Sequence, residues 1–330
     1  MTSLAKSVAN NDSPTISTSA MAEDILQGLR ATPKRIAAKY FYDAVGSDLF
    51  DKITEQPEYY PTRTEIGILR DNGAAIAALV RPGSAIVEFG SGCAGKNRIL
   101  LETMPSLAAY VPVDICASVV EHDAARLRED FPGLDISPVA ADFSRPFDLP
   151  AVAIEAPARV GFFPGSTIGN FEPHQAAAFF RDVGRTLGQE SILIVGVDLI
   201  KSTEILHAAY NDAAGITARF NLNLLTRINR ELGADFHLKQ FEHHAFFNRE
   251  RNRVEMHLAS LKRQKVKVCG ETIEFRIGET IHTENSYKYS VESFGALARG
   301  NGWIPLAVWK DADSLFSVQA FVFRAPEAAR

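Results

Sequence analysis

Ala85-Ile86-Val87-Glu88-Phe89-Gly90-Ser91-Gly92-Cys93-Ala94-Gly95-Lys96-Asn97 is the stretch on which the reading of this chain turns. Its first five residues, apolar except for Glu88, predict a short buried strand that stops at a cluster of glycines. Lys96 to Met104 then carries a helical pattern. A strand, a glycine turn and a helix in that order aim helix N–H groups at a ligand. Gly90 and Gly92 let the backbone turn sharply and approach that ligand closely.

Taken alone, the turn fits three ligands. Gly90, Gly95 and Lys96 match the G-x-x-x-x-G-K phosphate loop, but Asn97 stands where a magnesium-binding Ser or Thr belongs, and Glu88 is awkward beside polyphosphate. Gly90, Gly92 and Gly95 also match the dinucleotide pattern G-x-G-x-x-G, with Asp114 at a suitable distance for a ribose. S-adenosylmethionine is the third, and the surrounding acids favour it. Glu88 precedes the glycines. Asp114 ends the second strand, placed for both ribose hydroxyls. Asp142 ends the third, placed for the adenine amine, with Phe143 beside it to lie on the adenine face. Lys96 is read as the partner of the cofactor's carboxylate. The expected cofactor set is therefore Glu88, Gly90, Ser91, Gly92, Lys96, Asp114, Asp142 and Phe143.

Outward from the turn, apolar strands at 110–114, 136–140, 160–163 and 192–197 alternate with helices at 116–130 and 173–187. That alternation predicts a parallel sheet in a doubly wound, Rossmann-like α/β domain. Upstream, 22–56 reads as helix, Pro57 and Pro61 bracket Glu58-Tyr59-Tyr60 as a fixed loop, and 64–80 reads as helix. Downstream the alternation stops. Residues 203–232 predict one or two helices and 238–283 several antiparallel strands. Ser290 caps a helix running to Gly300, and 303–309 with 316–323 forms a final hairpin. The expected organisation is a flexible tail over 1–20, an α+β substrate-binding domain from 21–64 plus 201–287, and a cofactor domain from 65–200 plus 288–330.

Composition narrows the partners. Of 330 residues, 46% are hydrophobic and 23% charged, ordinary for a globular chain with ample core. A net charge of −5 makes nucleic acid or an anionic membrane a poor partner and leaves a small-molecule substrate open. Cys93, Cys116 and Cys269 have no CxxC spacing, so neither a disulfide framework nor a zinc pattern is present, and a reducing cytoplasm fits. No apolar run approaches the roughly 20 residues that span a bilayer. The Ser/Thr-rich first residues lack the apolar run of a signal peptide. His243, His244, His257 and His282 fall in the strand-rich region without ligand spacing, and no metal is assigned. A monomer is expected.

Beyond the turn, several segments are distinctive: Tyr40-Phe41-Tyr42-Asp43-Ala44-Val45-Gly46-Ser47, Pro57-Glu58-Tyr59-Tyr60-Pro61-Thr62-Arg63, Gly165-Ser166-Thr167-Ile168-Gly169-Asn170, Tyr210-Asn211-Asp212-Ala213-Ala214-Gly215, Glu255-Met256 and Thr283-Glu284-Asn285-Ser286. Through them the sequence resembles the histidine-specific N-alpha-methyltransferases of ergothioneine biosynthesis, over nearly the whole chain after the tail. The resemblance implies a class I methyltransferase sheet, a second domain, and three methylations of the histidine α-amine to give hercynine. It implies that Asn170 and Tyr210 hold the substrate carboxylate, that Glu284 and Ser286 hold the imidazole with Tyr59 on its other side, that Met256 walls the ring pocket, and that Gly165 lets backbone approach the amine. Tyr42, Tyr59 and Asn170 are the expected catalytic residues, with a phenol such as Tyr42 able to relay the amine proton. Residues two apart on a strand share a face, so Glu284 and Ser286 can converge on one ring. A related tryptophan methyltransferase is the alternative; it would need a roomier, uncharged pocket. A nucleotide-linked oxidoreductase and a non-enzymatic binding module are the more distant readings.

Overall fold

The computed structural model describes residues 18–91, 95–104 and 106–325. Of the expected tail, residues 1–17 lie outside the described residues, as do Gly92 and Cys93, while Thr18–Ala20 already belong to the first helix.

The chain opens with α1 (Thr18–Arg30), β1 (Lys34–Arg35), a 3-10 turn at Ala38–Phe41, α2 (Ala44–Thr54), α3 (Tyr60–Asp71) and α4 (Gly73–Ala77). The continuous helix expected over 22–56 is thus interrupted. Pro33 cannot continue α1, and Lys34–Arg35 instead pairs in parallel with Ile281–His282. The loop expected at Tyr59-Tyr60 is shorter than read: Tyr60 starts α3 and Pro61 sits in its first turn. There a missing N–H costs nothing.

Alternation follows as expected: β2 (Ala85–Phe89), α5 (Lys96–Thr103), β3 (Ala109–Asp114), α6 (Ala117–Asp130), β4 (Asp135–Ile136), β5 (Val139–Ala140), α7 (Ala151–Glu155), β6 (Arg159–Phe163), α8 (Pro173–Leu187) and β7 (Ile192–Asp198). The single strand expected at 136–140 is two short bridges, β4 and β5, both paired with β3. Pro138 between them has no N–H for a ladder. The remainder is α9 (Thr203–Tyr210), α10 (Ile216–Leu232), β8 (Phe241–Asn248), β9 (Arg253–Ser260), β10 (Gln264–Val268), β11 (Glu271–Phe275), β12 (Thr280–Tyr287), α11 (Val291–Arg299), β13 (Trp303–Lys310) and β14 (Phe316–Phe323).

Eight strands form the large sheet, in the order β13-β14-β7-β6-β2-β3-β4 with β5 also on β3. All pairs from β7 to β5 are parallel, and β14 runs antiparallel between β7 and β13. This is the doubly wound, Rossmann-like α/β arrangement expected from the sequence. Successive residues of β2 serve opposite faces: Val87 and Phe89 pack with Phe163, Phe179 and Trp303, whereas Ile86 packs with Tyr110 and Phe316. Burial on both faces is why the strand reads as nearly continuous apolar sequence.

A second sheet has the order β1-β12-β9-β8, and β10 with β11 makes a separate hairpin. Its core joins α1 and α2 to α10, with Ile25, Leu49, Leu224, Met256, Leu258 and Ile281 in contact as one cluster. The order of the large sheet reverses between β2 and β6. Ligands of open α/β sheets bind beyond the strand ends at such a switch point. Gly90 follows β2 there, and Pro164-Gly165 follows β6. No helix among the described residues is long and apolar enough to cross a membrane.

Candidate active site

Around the glycine turn the backbone is set by position. Gly90 has φ +76°, and the Phe143 ring lies 3.5 Å from where its side chain would begin. Ser91 Oγ is buried with no hydrogen-bond partner among the described residues. An orphaned hydroxyl at the mouth of such a turn asks for a ligand atom. Asp114, partly exposed at the end of β3, accepts from Cys116 N at 2.9 Å, and burial pushes its carboxyl up to about 6. Asp142 accepts from Ser144 N at 3.0 Å, fixing the turn that carries Phe143 into contact with Phe89 and Phe163. These residues fit a ligand with hydroxyls, an amine and a flat ring.

Lys96 and Glu88, both expected at the cofactor, are each engaged by a protein partner. Lys96 does not present a free cation: its Nζ is 2.7 Å from Glu65 Oε2, and both side chains are buried. Glu65 also accepts from Gly165 N at 2.9 and 3.1 Å. A Cβ at Gly196 would collide with this carboxylate. Glu65 thus ties α5 to the turn after β6, and nothing in its helical sequence context distinguished it. Glu88 lies beneath the turn, where Tyr110 donates to its carboxyl, and burial pushes that group up to about 8.

The residues expected around the substrate share one cavity. Tyr42, Tyr59, Gly165, Asn170, Tyr210, Met256, Glu284 and Ser286 all line it. Tyr42 and Tyr59 arrive from the N-terminal segment, each edge-on to Phe50 at 5.8 and 6.3 Å between ring centres. Gly165 and Asn170 come from the turn after β6, Tyr210 from the end of α9, and the rest from β9 and β12.

Glu284 reaches the cavity because of a β-bulge. Register shifts between His282 and Glu284, so His282 pairs with His257 while Glu284 pairs with Met256. Without the extra residue, His282 and Glu284 would share a face. With it, Glu284, Met256 and Ser286 face the cavity, and His257 and His282 face away. The bulged Thr283 is pinned: its one hydroxyl proton is shared between Asn221 Oδ1 at 2.9 Å and Met256 O at 3.0 Å. Asn221 Nδ2 donates in turn to His257 O at 2.9 Å. Burial pushes the Glu284 carboxyl up to about 7 against the opposing pull of Lys288.

Behind Ser286 lies a buried ionic cluster that sequence reasoning missed. Asp198, at the end of β7, meets Lys288 Nζ at 2.6 Å and Lys201 Nζ at 2.5 Å, and accepts from Tyr60 OH at 2.8 Å. Burial opposes ionisation of Asp198, but the two ammonium groups hold its carboxyl below the usual range. Burial likewise opposes the charge on Lys288, and Asp198 raises it well above the ordinary value. Lys288 Nζ donates to Ser286 Oγ at 2.7 Å and to Tyr210 OH at 3.1 Å, and Tyr210 OH donates to Ser286 Oγ at 2.7 Å. Ser286 Oγ therefore accepts twice, filling both lone pairs, and its own proton is left to donate into the cavity. An ionised Glu284 can only accept. One wall thus offers an acceptor and a donor from residues two apart, matching a ring that carries one N–H and one bare nitrogen.

A family profile described as "Histidine-specific methyltransferase, SAM-dependent" matches residues 21–323. The chain is 40% identical to a histidine N-alpha-methyltransferase of Mycolicibacterium smegmatis, over 96% of this chain and 99% of that one. It is 39% identical to a histidine N-alpha-methyltransferase of Mycobacterium tuberculosis, over 92% and 95%. It is 27% identical to ergothioneine biosynthesis protein 1 of Neurospora crassa, over 84% of this chain and 32% of that longer protein.

Proposed function

The chain belongs to the histidine-specific, S-adenosylmethionine-dependent methyltransferases, and from that premise we propose that it methylates the α-amine of L-histidine three times, giving hercynine for ergothioneine biosynthesis. The names of its mycobacterial and fungal relatives support that substrate and pathway. The phosphate-loop and dinucleotide readings of the glycine turn fall with the family.

The observation that carries the substrate is the acceptor–donor pair of Glu284 and Ser286. A neutral imidazole has one N–H and one bare nitrogen and satisfies both groups. An indole has an N–H alone, so it would leave the Ser286 proton without a partner in a part-buried wall, which costs about 1–3 kcal/mol. That favours histidine over tryptophan. Asn170 holds the carboxylate through its amide; Tyr210, expected beside it, has given its one proton to Ser286 and serves the pocket through that hydroxyl. Tyr59 closes the ring pocket opposite Glu284, and Met256 walls it.

S-adenosylmethionine supplies an electrophilic methyl group. Gly90, Ser91, Gly92, Asp114, Asp142 and Phe143 would hold it, with Glu88, and Lys96 through Glu65, supporting the turn from beneath. The protein's task is then positioning: it fixes ring and carboxylate and leaves the amine free to present itself repeatedly. Gly165 keeps the backbone low beside that amine. Tyr42 is the phenol placed to relay its proton.

We assign residues 21–64 with 201–287 to the substrate and 65–200 with 288–330 to the cofactor. A monomer acting on a small molecule in the cytoplasm agrees with the net charge of −5 and unpaired cysteine spacing. Mass spectrometry after incubation with S-adenosylmethionine and each amino acid in turn tests the reading. A product heavier by three methyl groups is expected from histidine alone; the same gain from tryptophan and not histidine overturns it.

A further inference from the structure

The face of the second sheet turned away from the cavity carries an arrangement the sequence spacing did not reveal. His244 on β8, His257 on β9 and His282 on β12 are direct cross-strand partners in register. Glu255, two residues before His257, shares its face. Ligand atoms of Glu255, His257 and His282 lie within 4.8 Å of one another. We propose that these three side chains form a binding site for a borderline divalent cation of the zinc type.

Their surroundings resemble the outer shell of a metal site, in which each ligand is oriented through its remaining polar atom. Glu255 Oε1 accepts from Arg253 Nε at 2.8 Å and Asn248 Nδ2 at 3.0 Å, leaving Oε2 turned to His257 Nε2 at 3.1 Å. His257 Nδ1 meets Thr280 Oγ1 at 3.2 Å. A cation on Nε2 moves that proton to Nδ1, where the threonine hydroxyl accepts it. Asn285 Oδ1 accepts from His282 Nε2 at 2.9 Å, because the amide nitrogen of Asn285 is already committed to Glu172 at 3.0 Å. His282 Nδ1 is therefore the nitrogen with a lone pair to give.

Charge and access agree. Glu255 and Glu172 outnumber Arg253, so the local balance is negative. The His257 and Glu255 side chains keep 13% and 10% of their surface, enough for an ion to enter with a water in the fourth position. Two nitrogens and one carboxylate oxygen suit zinc rather than magnesium or calcium.

Calorimetry with Zn²⁺ on the full chain tests this, with Co²⁺ absorption as a second probe. One Zn²⁺ per chain is expected, with affinity at least tenfold weaker in His257→Ala/His282→Ala and in Glu255→Gln, and unchanged in the exposed-site control His207→Ala. Binding of S-adenosylhomocysteine reports whether each variant is folded. Should the double variant not fold, X-ray absorption of the zinc-loaded unsubstituted protein decides: scattering from two imidazoles is expected. No saturable binding, binding unaltered in the variants, or a shell without imidazole overturns the site and leaves the cluster a structural polar network.

Discussion

Thr283 Oγ1 donates to Asn221 Oδ1 across 2.9 Å, and this bond joins helix α10 to the bulge that turns Glu284 into the cavity. The strand's alternation is reset at that residue. Thr283→Val keeps the shape and removes the hydroxyl, leaving a buried amide oxygen short of its donor, a loss of about 1–3 kcal/mol. We expect KM for histidine to rise, by up to roughly 5- to 150-fold if all of that energy is lost from substrate binding, with S-adenosylhomocysteine affinity unchanged in calorimetry. Thr283→Ser retains the hydroxyl and should behave as the unsubstituted enzyme. Equal loss in both variants would show that the bond does not position Glu284.

Glu284 gives a pH dependence with a definite sign. Its folded-state carboxyl lies at about 7, above its ordinary value of 4.5, because burial disfavours the charge. Between those values the folded chain holds a proton that the unfolded chain has released, so stability falls as pH rises through that window. Glu284→Gln should therefore be more stable than the unsubstituted protein at pH 8, by on the order of 1–3 kcal/mol. Its kcat/KM for histidine should be lower and lack the rise through about 7 that ionisation of Glu284 gives. Melting curves and pH–rate profiles of both proteins check the two halves separately.

Lys288 is predicted to matter twice. Lys288→Met removes one of two cations from buried Asp198, and breaking a buried pair costs about 3–5 kcal/mol. It also frees a lone pair on Ser286, so that hydroxyl no longer has to donate. Lys288→Met with Asp198→Asn should recover much of the melting temperature while histidine affinity stays low. Full recovery of affinity in the double variant would refute the fixed polarity of Ser286.

The Glu65–Lys96 pair separates support from direct contact. Either single variant, Glu65→Gln or Lys96→Met, strands a buried charge and should lower the melting temperature sharply. The double variant should fold better. If Lys96 acts through Glu65 and Gly165, S-adenosylhomocysteine affinity in the double variant falls only modestly. A loss of a hundredfold, about 2.7 kcal/mol, would instead mean that Lys96 touches the cofactor.

The sequence by itself determined the cofactor half. Buried parallel strands are apolar throughout, and their ends fall at glycines and acids, so Gly90, Asp114 and Asp142 could be placed on strand ends from local pattern alone. The helix at Pro173–Leu187 and the last hairpin were legible for the same reason: propensity, capping and burial agree within a few residues. The family motifs identified Tyr59, Asn170, Tyr210, Met256, Glu284 and Ser286, all of which line one cavity.

Only the tertiary structure decided which way those groups face and in what protonation pattern. Period-two reasoning puts His282 with Glu284 and is defeated by one inserted residue, a choice fixed by Asn221 more than sixty positions away. Lys288, two residues on, does not by itself say that the Ser286 hydroxyl must donate; that follows only when Tyr210 fills the second lone pair and Asp198 keeps Lys288 charged. Lys96 looks like a free cation until Glu65 arrives from another helix. The glycine turn and its acids are local features, set by neighbours along the chain. Bulge register, buried ion pairs and hydrogen-bond polarity depend on groups brought together across the fold, where a buried charge or lone pair must find its partner in space.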